Sequence, residues 1–177
     1  MLLVMTLVLG IAYPLVITAA GQGFFAHRAN GSLVQADGTT VGSALLGQSF
    51  EGPEWFHGRP GAYDPSASGP SNLGPTNPAL GDAVRQRLDA VTASDPPAGA
   101  VPVDAVTGSG SGLDPDISPA YARLQASRVA AARGLGVADV LALIEEQTAG
   151  RTFGFLGEPR VNVLLLNLAL EGLASTP

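Results

Sequence analysis

Two aspartates two residues apart, Asp114 and Asp116, stand with Ser118 in "LDPDISP". With the Asp-x-Asp-x-Ser spacing, one carboxylate can attack a phosphate ester while the other handles the leaving-group proton. Just before them runs "TGSGSG", residues 107–112, and glycine-rich loops that open onto helices can cradle phosphate. His57, with a serine and an aspartate, could make a nucleophilic triad. A second run rich in serine and glycine, "SASGPSNLG" at residues 66–74, could also offer hydroxyls and amides to phosphate.

The sequence raises an objection to each of these. All nine basic residues are arginine, so the lysine of a Walker-type loop and the amine of Schiff-base catalysis are both missing. Asp114 and Asp116 would repel phosphate at the helix mouth. An aspartate nucleophile belongs at the end of a hydrophobic strand, but glycines and serines come before this one, and Pro115 makes a turn between the two carboxylates. No "GxSxG" elbow accompanies His57. With Cys at 0 there is no thiol nucleophile, disulfide or cysteine metal site, and neither His27 nor His57 has a second ligand at metal spacing. A formal charge of −6 argues against nucleic acid, which favours a basic surface. Capping and turn chemistry is the favoured reading of residues 107–121.

The amino end is of a different kind. Residues 1–26 carry no charged side chain, and hydrophobic residues make up 46% of the chain. Residues 2–20 as a helix would span about 28 Å, close to the roughly 30 Å hydrocarbon core. The run is apolar on every face, unlike the single stripe of a buried soluble helix. It also lacks the basic n-region of a cleaved signal peptide. A retained membrane anchor is expected. Gly10 and Pro14 are tolerated in such a helix when neighbouring helices satisfy the freed backbone, which suggests a partner in the membrane. The only basic residue close by is Arg28, which taken alone would place the following domain in the cytoplasm.

The remainder reads as a loop-rich body, with Gly 23 and Pro 14 in the whole chain. Residues 32–48 suggest two strands around a turn at Ala36-Asp37-Gly38. Trp55 and Phe56 are expected core anchors. Residues 63–78 are a run of turns. Residues 80–91 form an amphipathic helix with Leu80, Ala83, Val84, Leu88 and Val91 on one face. Val101, Val103 and Val106 suggest a strand. Ser118 as N-cap and Pro119 at the first helical position start a helix that runs to Arg133 and ends at Gly134. Arg123, Arg128 and Arg133 lie towards its cation-favouring end. Another helix covers residues 139–148, and "VNVLLLNLAL" is a buried helix capped by Asn162.

In order along the chain, "YPLVITAAGQGFF", "WFHGRP", "SGPSNLGPTNPAL", "LDPDISP" and "GFLGEPRVNVLLLNLAL" resemble the KdpC family, the C subunits of the Kdp potassium-transporting P-type ATPases. The resemblance spans residues 12–170. It implies an α+β fold: a single transmembrane helix, residues 1–26, followed by one mixed α/β extracytoplasmic domain, residues 27–177. It implies an accessory, non-catalytic subunit of a high-affinity, ATP-driven potassium uptake system in the cell membrane, needed for assembly and stability. The implied partners are the pump subunit KdpB, the channel-like potassium-binding subunit KdpA, the small KdpF peptide and membrane lipid. The family is also described as a catalytic chaperone that raises the pump's ATP affinity, with ATP acting at the level of the complex and no cofactor of the subunit's own. "SASGPSNLG" is loosely similar to the signature loop of ABC-type ATPases, so Ser68, Gly69, Ser71, Asn72 and Gly74 are the candidate ATP contacts. Pro70 stands where the family more often has a second glycine, and it removes one N–H donor. An outside domain could not reach cytoplasmic ATP. Family members usually carry a short basic cytoplasmic segment ahead of the helix, which would settle the orientation in favour of an outside domain. The reading that competes with all of this is a membrane-anchored extracytoplasmic phosphohydrolase or binding module using Asp114 and Asp116.

Overall fold

An apolar helix opens the chain in the computed structural model, which describes residues 1–174. Two compact units form, Met1–Leu45 and the residues from Leu46 onward.

In the first unit, helix α1 (Leu2–Leu7), a π-helical turn (Val8–Ala12) and helix α2 (Tyr13–Ala29) run together as 28 residues, with a mean hydropathy of 2.3 over their most apolar 18-residue window. None of the apolar window is buried. Pro14 sits in the first turn of α2, directly after the π turn. The helix continues nine residues beyond the expected residues 2–20 and breaks its geometry only at Phe25 (φ −138°, ψ 37°). Across that kink the carboxamides of Gln22 and Asn30 exchange two hydrogen bonds of 3.1 Å. Residues 2–24 alone measure about 35 Å, enough for the roughly 30 Å hydrocarbon layer. Strands β1 (Leu33–Ala36) and β2 (Thr39–Ser43) then form an antiparallel hairpin. Asp37 and Gly38 both take positive φ (50° and 75°), the two-residue turn that the Asp-Gly pair predicts.

The second unit is α+β. Strands β3 (Asp116–Ile117), β4 (Thr148–Ala149) and β5 (Arg160–Asn162) make an antiparallel sheet of order β3-β5-β4. Helices α3 (Pro78–Ser94), α4 (Pro119–Arg133), α5 (Val137–Glu146) and α6 (Val163–Ala174) accompany it. The α4 signals act as expected. Ser118 Oγ accepts the Tyr121 N–H at 3.0 Å, and Gly134 ends the helix at φ 67°. Ala122, Ala126 and Ala130, four residues apart and buried, give α4 a face of methyl groups against which α5 packs. Val140 and Ile144 of α5 and Val161, Leu166 and Leu170 near the carboxyl end are fully buried in the same core.

Three expectations are corrected. Residues 101–106 are not a strand. Val103–Ala105 is a 3-10 turn, Val103 is 72% exposed, and the turn aims the Asp104 carboxylate at Ser118, whose N–H and hydroxyl it accepts at 2.7 and 3.0 Å. α5 starts two residues earlier than residue 139 and gives up Thr148 to β4. The helix expected in "VNVLLLNLAL" begins at Val163, because Val161 and Asn162 belong to β5; Asn162 Oδ1 still caps it through the Leu165 N–H at 3.1 Å. The expected face of α3 is partly buried, with Leu88 left 38% exposed.

The segment 53–57 brings the buried Phe56 into the core without a strand partner, so side chains must satisfy its backbone. Asn167 of α6 does this for Phe56: Oδ1 accepts the N–H at 2.9 Å and Nδ2 donates to the C=O at 3.0 Å. Gln125 of α4 does the same for His57, at 2.7 and 3.1 Å. Arg128 donates to the Pro53 and Trp55 carbonyls, to Gln125 Oε1 and to the buried Asp95. Arg133 donates to the Glu54 carbonyl and lies 4.2 Å from the Trp55 ring. Phe56, Gln125 and Asn167 are at most 1% exposed.

Two predictions follow from this clamp. Asn167→Leu strands both main-chain groups of Phe56 and should cost about 2–4 kcal/mol, since each buried unsatisfied group costs roughly 1–3. Denaturant unfolding of the full chain in detergent, followed by the single tryptophan, measures it; Ser127→Ala on the exposed side of α4 should stay within about 0.5 kcal/mol. The second concerns pH. Burial pushes the His57 pKa below its ordinary value; the hydrogen bond to the Gly52 carbonyl opposes this and Arg128 adds to it. The unfolded chain therefore takes up that proton first, near pH 6.5, and stability falls as the pH drops through and below that value. His57→Gln should lose less stability than wild type between pH 7.5 and 5.5. Equal losses would show that His57 does not contribute.

Candidate functional site

The two serine- and glycine-rich runs singled out in the sequence meet at one groove of about 730 Å³ in the second unit, lined by Pro60, Tyr63, Gly69, Ser71, Arg87 and Ser109–Gly112 among others. They are joined directly. Ser68 Oγ and the Gly69 N–H both donate to the Ser111 carbonyl, at 3.0 and 2.9 Å. A Cβ on Gly61 would lie 2.7 Å from the Gly112 oxygen, so backbone approaches backbone here and glycine is required.

This packing uses up donors that a phosphate would need. Around residues 107–113 serine oxygens take up two backbone donors: Ser109 Oγ accepts the Gly112 N–H at 2.8 Å and Ser111 Oγ accepts the Leu113 N–H at 3.1 Å. On the other run, Ser68, Gly69, Ser71, Asn72 and Gly74 are all solvent-exposed. Asn72 takes the left-handed conformation, φ 55°. The Ser68 hydroxyl and Gly69 amide face Ser111, and Ser68, Asn72 and Gly74 do not line the groove; of this run Ser71 does, together with the half-buried Arg87, whose Nη1 donates to the Val106 carbonyl at 3.3 Å.

The two aspartates are held just as firmly. Asp114 Oδ2 pairs with Arg59 Nη1 at 3.0 Å, and its Oδ1 accepts the Asp116 N–H at 3.1 Å in a local turn. The same guanidinium reaches the Thr107 and Gly108 carbonyls. Asp116 pairs with Arg160 at 3.1 Å and accepts from Asn162 at 3.3 Å. Burial raises the Asp116 pKa, with Arg160 the main opposing influence. Tyr63, which donates to the Arg59 carbonyl at 2.6 Å, is pushed up to about 12 by burial and by Asp114, so it stays a neutral donor. His57 faces the Gly52 carbonyl at 2.9 Å. Asp114, Asp116 and Ser118 thus brace a turn and cap a helix. What the sequence did not reveal is that Arg59, held at its carbonyl by Tyr63, ties residues 107 and 108 to Asp114; the hint was an arginine within the turn-rich "HGRPGAY" stretch.

The family profile described as KdpC, "K+-transporting ATPase, c chain", matches residues 1–172. A potassium-transporting ATPase KdpC subunit of Sorangium cellulosum is 58% identical over 178 residues, covering 97% of this chain and 94% of the relative. Subunits of the same name from Variovorax paradoxus (58% identical; 94% and 89% covered) and Methylococcus capsulatus (55%; 98% and 94%) are also similar. The chain belongs to the KdpC family, the c chains of the K+-transporting ATPases.

Proposed function

We propose that this chain is an accessory subunit of the high-affinity, ATP-driven potassium uptake system, without catalysis of its own, which assembles and stabilises the complex. The observation that carries this reading is the helix Leu2–Ala29, long and apolar enough to cross a membrane and with none of its apolar window buried by the rest of the chain. Such a surface needs lipid and other helices around it. The partners are the pump subunit KdpB and the channel-like subunit KdpA, with the small KdpF peptide, and the body after the helix lies outside the cytoplasm. Two features support a surface built for contact. The aspartates of "LDPDISP" are engaged in ion pairs and turn bonds. In the turn before β5, Phe153 and Phe155 are 84% and 69% exposed, apolar surface of the kind that protein contacts cover.

A second reading, the catalytic chaperone that raises the pump's ATP affinity, is favoured by one observation: the groove bordered by Gly69, Ser71 and Arg87. The ATP contacts of that reading are Ser68, Gly69, Ser71, Asn72 and Gly74, of which Gly69 and Ser71 line the groove, while the Ser68 hydroxyl and the Gly69 amide are bonded to the Ser111 carbonyl.

The chain has no native cysteine, so Ser71→Cys creates a single exposed thiol that separates the two. In spheroplasts, a membrane-impermeant maleimide should label it without lysis, and the labelled chain should co-purify with pump and channel subunits after mild solubilisation. Labelling only after lysis would overturn the outside placement and leave the groove open to cytoplasmic ATP. A chain recovered without the other subunits would overturn the accessory role.

A further inference from the structure

In the amino-terminal helix the Leu9 backbone carbonyl has neither its α-helical nor its π-helical donor. The Tyr13 N–H bonds to the Val8 carbonyl, five residues back, which closes the π turn Val8–Ala12. In α geometry the Leu9 carbonyl would take the Tyr13 N–H, which is already engaged. In π geometry it would take the N–H of residue 14, which is a proline and has none. Side chains of the helix do not repair this. Thr6, the nearest hydroxyl before it, donates to the Leu2 carbonyl at 3.0 Å. Gly10 has no side chain, nothing lies within 4 Å of where its Cβ would be, and Ala12 adds one methyl, so the helix surface is thin here.

Depth makes this carbonyl matter. Leu9 is roughly 10 Å along the axis from Leu2, inside a hydrocarbon layer of roughly 30 Å. Lipid tails carry no donors, and an unsatisfied main-chain carbonyl is costly there. We infer that the Val8–Ala12 turn is an intramembrane docking point for a transmembrane helix of another subunit, which presents a side-chain donor (hydroxyl, carboxamide or indole) to the Leu9 carbonyl. This rests on the proposed membrane anchor. The occupant is another subunit because the chain belongs to a family of ATPase subunits, and the break in the ladder supplies an acceptor that only a donor-bearing neighbour can use. Gly10 and Ala12 let that neighbour's backbone come close.

Pro14→Ala restores an N–H at residue 14 and lets the helical ladder run through, which removes the free acceptor. In membranes expressing the whole complex, Pro14→Ala should remain resistant to carbonate extraction, as wild type does. Recovery of the other subunits with it after solubilisation should fall by roughly three- to tenfold, the worth of one interhelical hydrogen bond. A photoreactive benzophenone residue at position 9 should cross-link to another subunit in the assembled complex. Wild-type recovery from Pro14→Ala, or cross-links only to lipid or to a second copy of this chain, would overturn the docking point while leaving the anchor intact. Release of wild type by carbonate would instead refute the anchor and the docking point with it.

Discussion

Hydrogen bonds from two buried carboxamides to consecutive residues hold the body of this protein together. Residues 53–57 turn and carry Phe56 into the core without a strand partner, and the backbone groups at Phe56 need partners as much as those of any strand. Asn167 and Gln125 act as side-chain substitutes for a neighbouring strand at Phe56 and His57. Because one belongs to α6 and the other to α4, the segment adds a second tie between two helices whose leading strands, β5 and β3, already pair. Arg128 and Arg133 extend the arrangement along the chain and bring in Asp95 at the end of α3. Breaking such a network in part costs more than never building it, since the remaining groups stay buried and unpaired.

From that segment the chain passes directly to Arg59, whose guanidinium joins Asp114 to the carbonyls of residues 107 and 108. The core clamp and the groove are therefore consecutive along the sequence. Many of the groups that suggest chemistry are spent on holding loops in place: the aspartates on arginines, Ser109 and Ser111 on neighbouring amides, Ser68 on the Ser111 carbonyl, and Gly61 on close approach. The result is a rigid body with shaped loops, as a subunit that binds other subunits requires, joined to a helix suited to lipid.

What the sequence revealed was local. Ser118, Pro119 and Gly134 announce α4 because capping depends on residues within one turn, and Asp37-Gly38 announces a hairpin because few residues accept positive φ. A long run without charged side chains was enough to mark a helix long and apolar enough to cross a membrane. The strands β3 and β4 have two residues each, too few for any alternation to register. The valines of residues 101–106 mimicked a strand, but no sheet edge is there to pair with them and Asp104 is needed at Ser118. The clamp could not be read at all: its partners are 68 and 111 residues apart, and a glutamine or asparagine within a helix looks like a surface residue until its burial is known. The meeting of the two serine- and glycine-rich runs was hidden for the same reason.

Native-state hydrogen exchange on the full chain in detergent tests the clamp most directly. If the carboxamides hold segment 53–57 as the geometry requires, the Phe56 and His57 amides should exchange as slowly as those in the middle of α4, opening only when the whole body unfolds. Exchange at the rate of the exposed turns around residues 66–74 would contradict it, and would mean that the body is not organised around these two side chains.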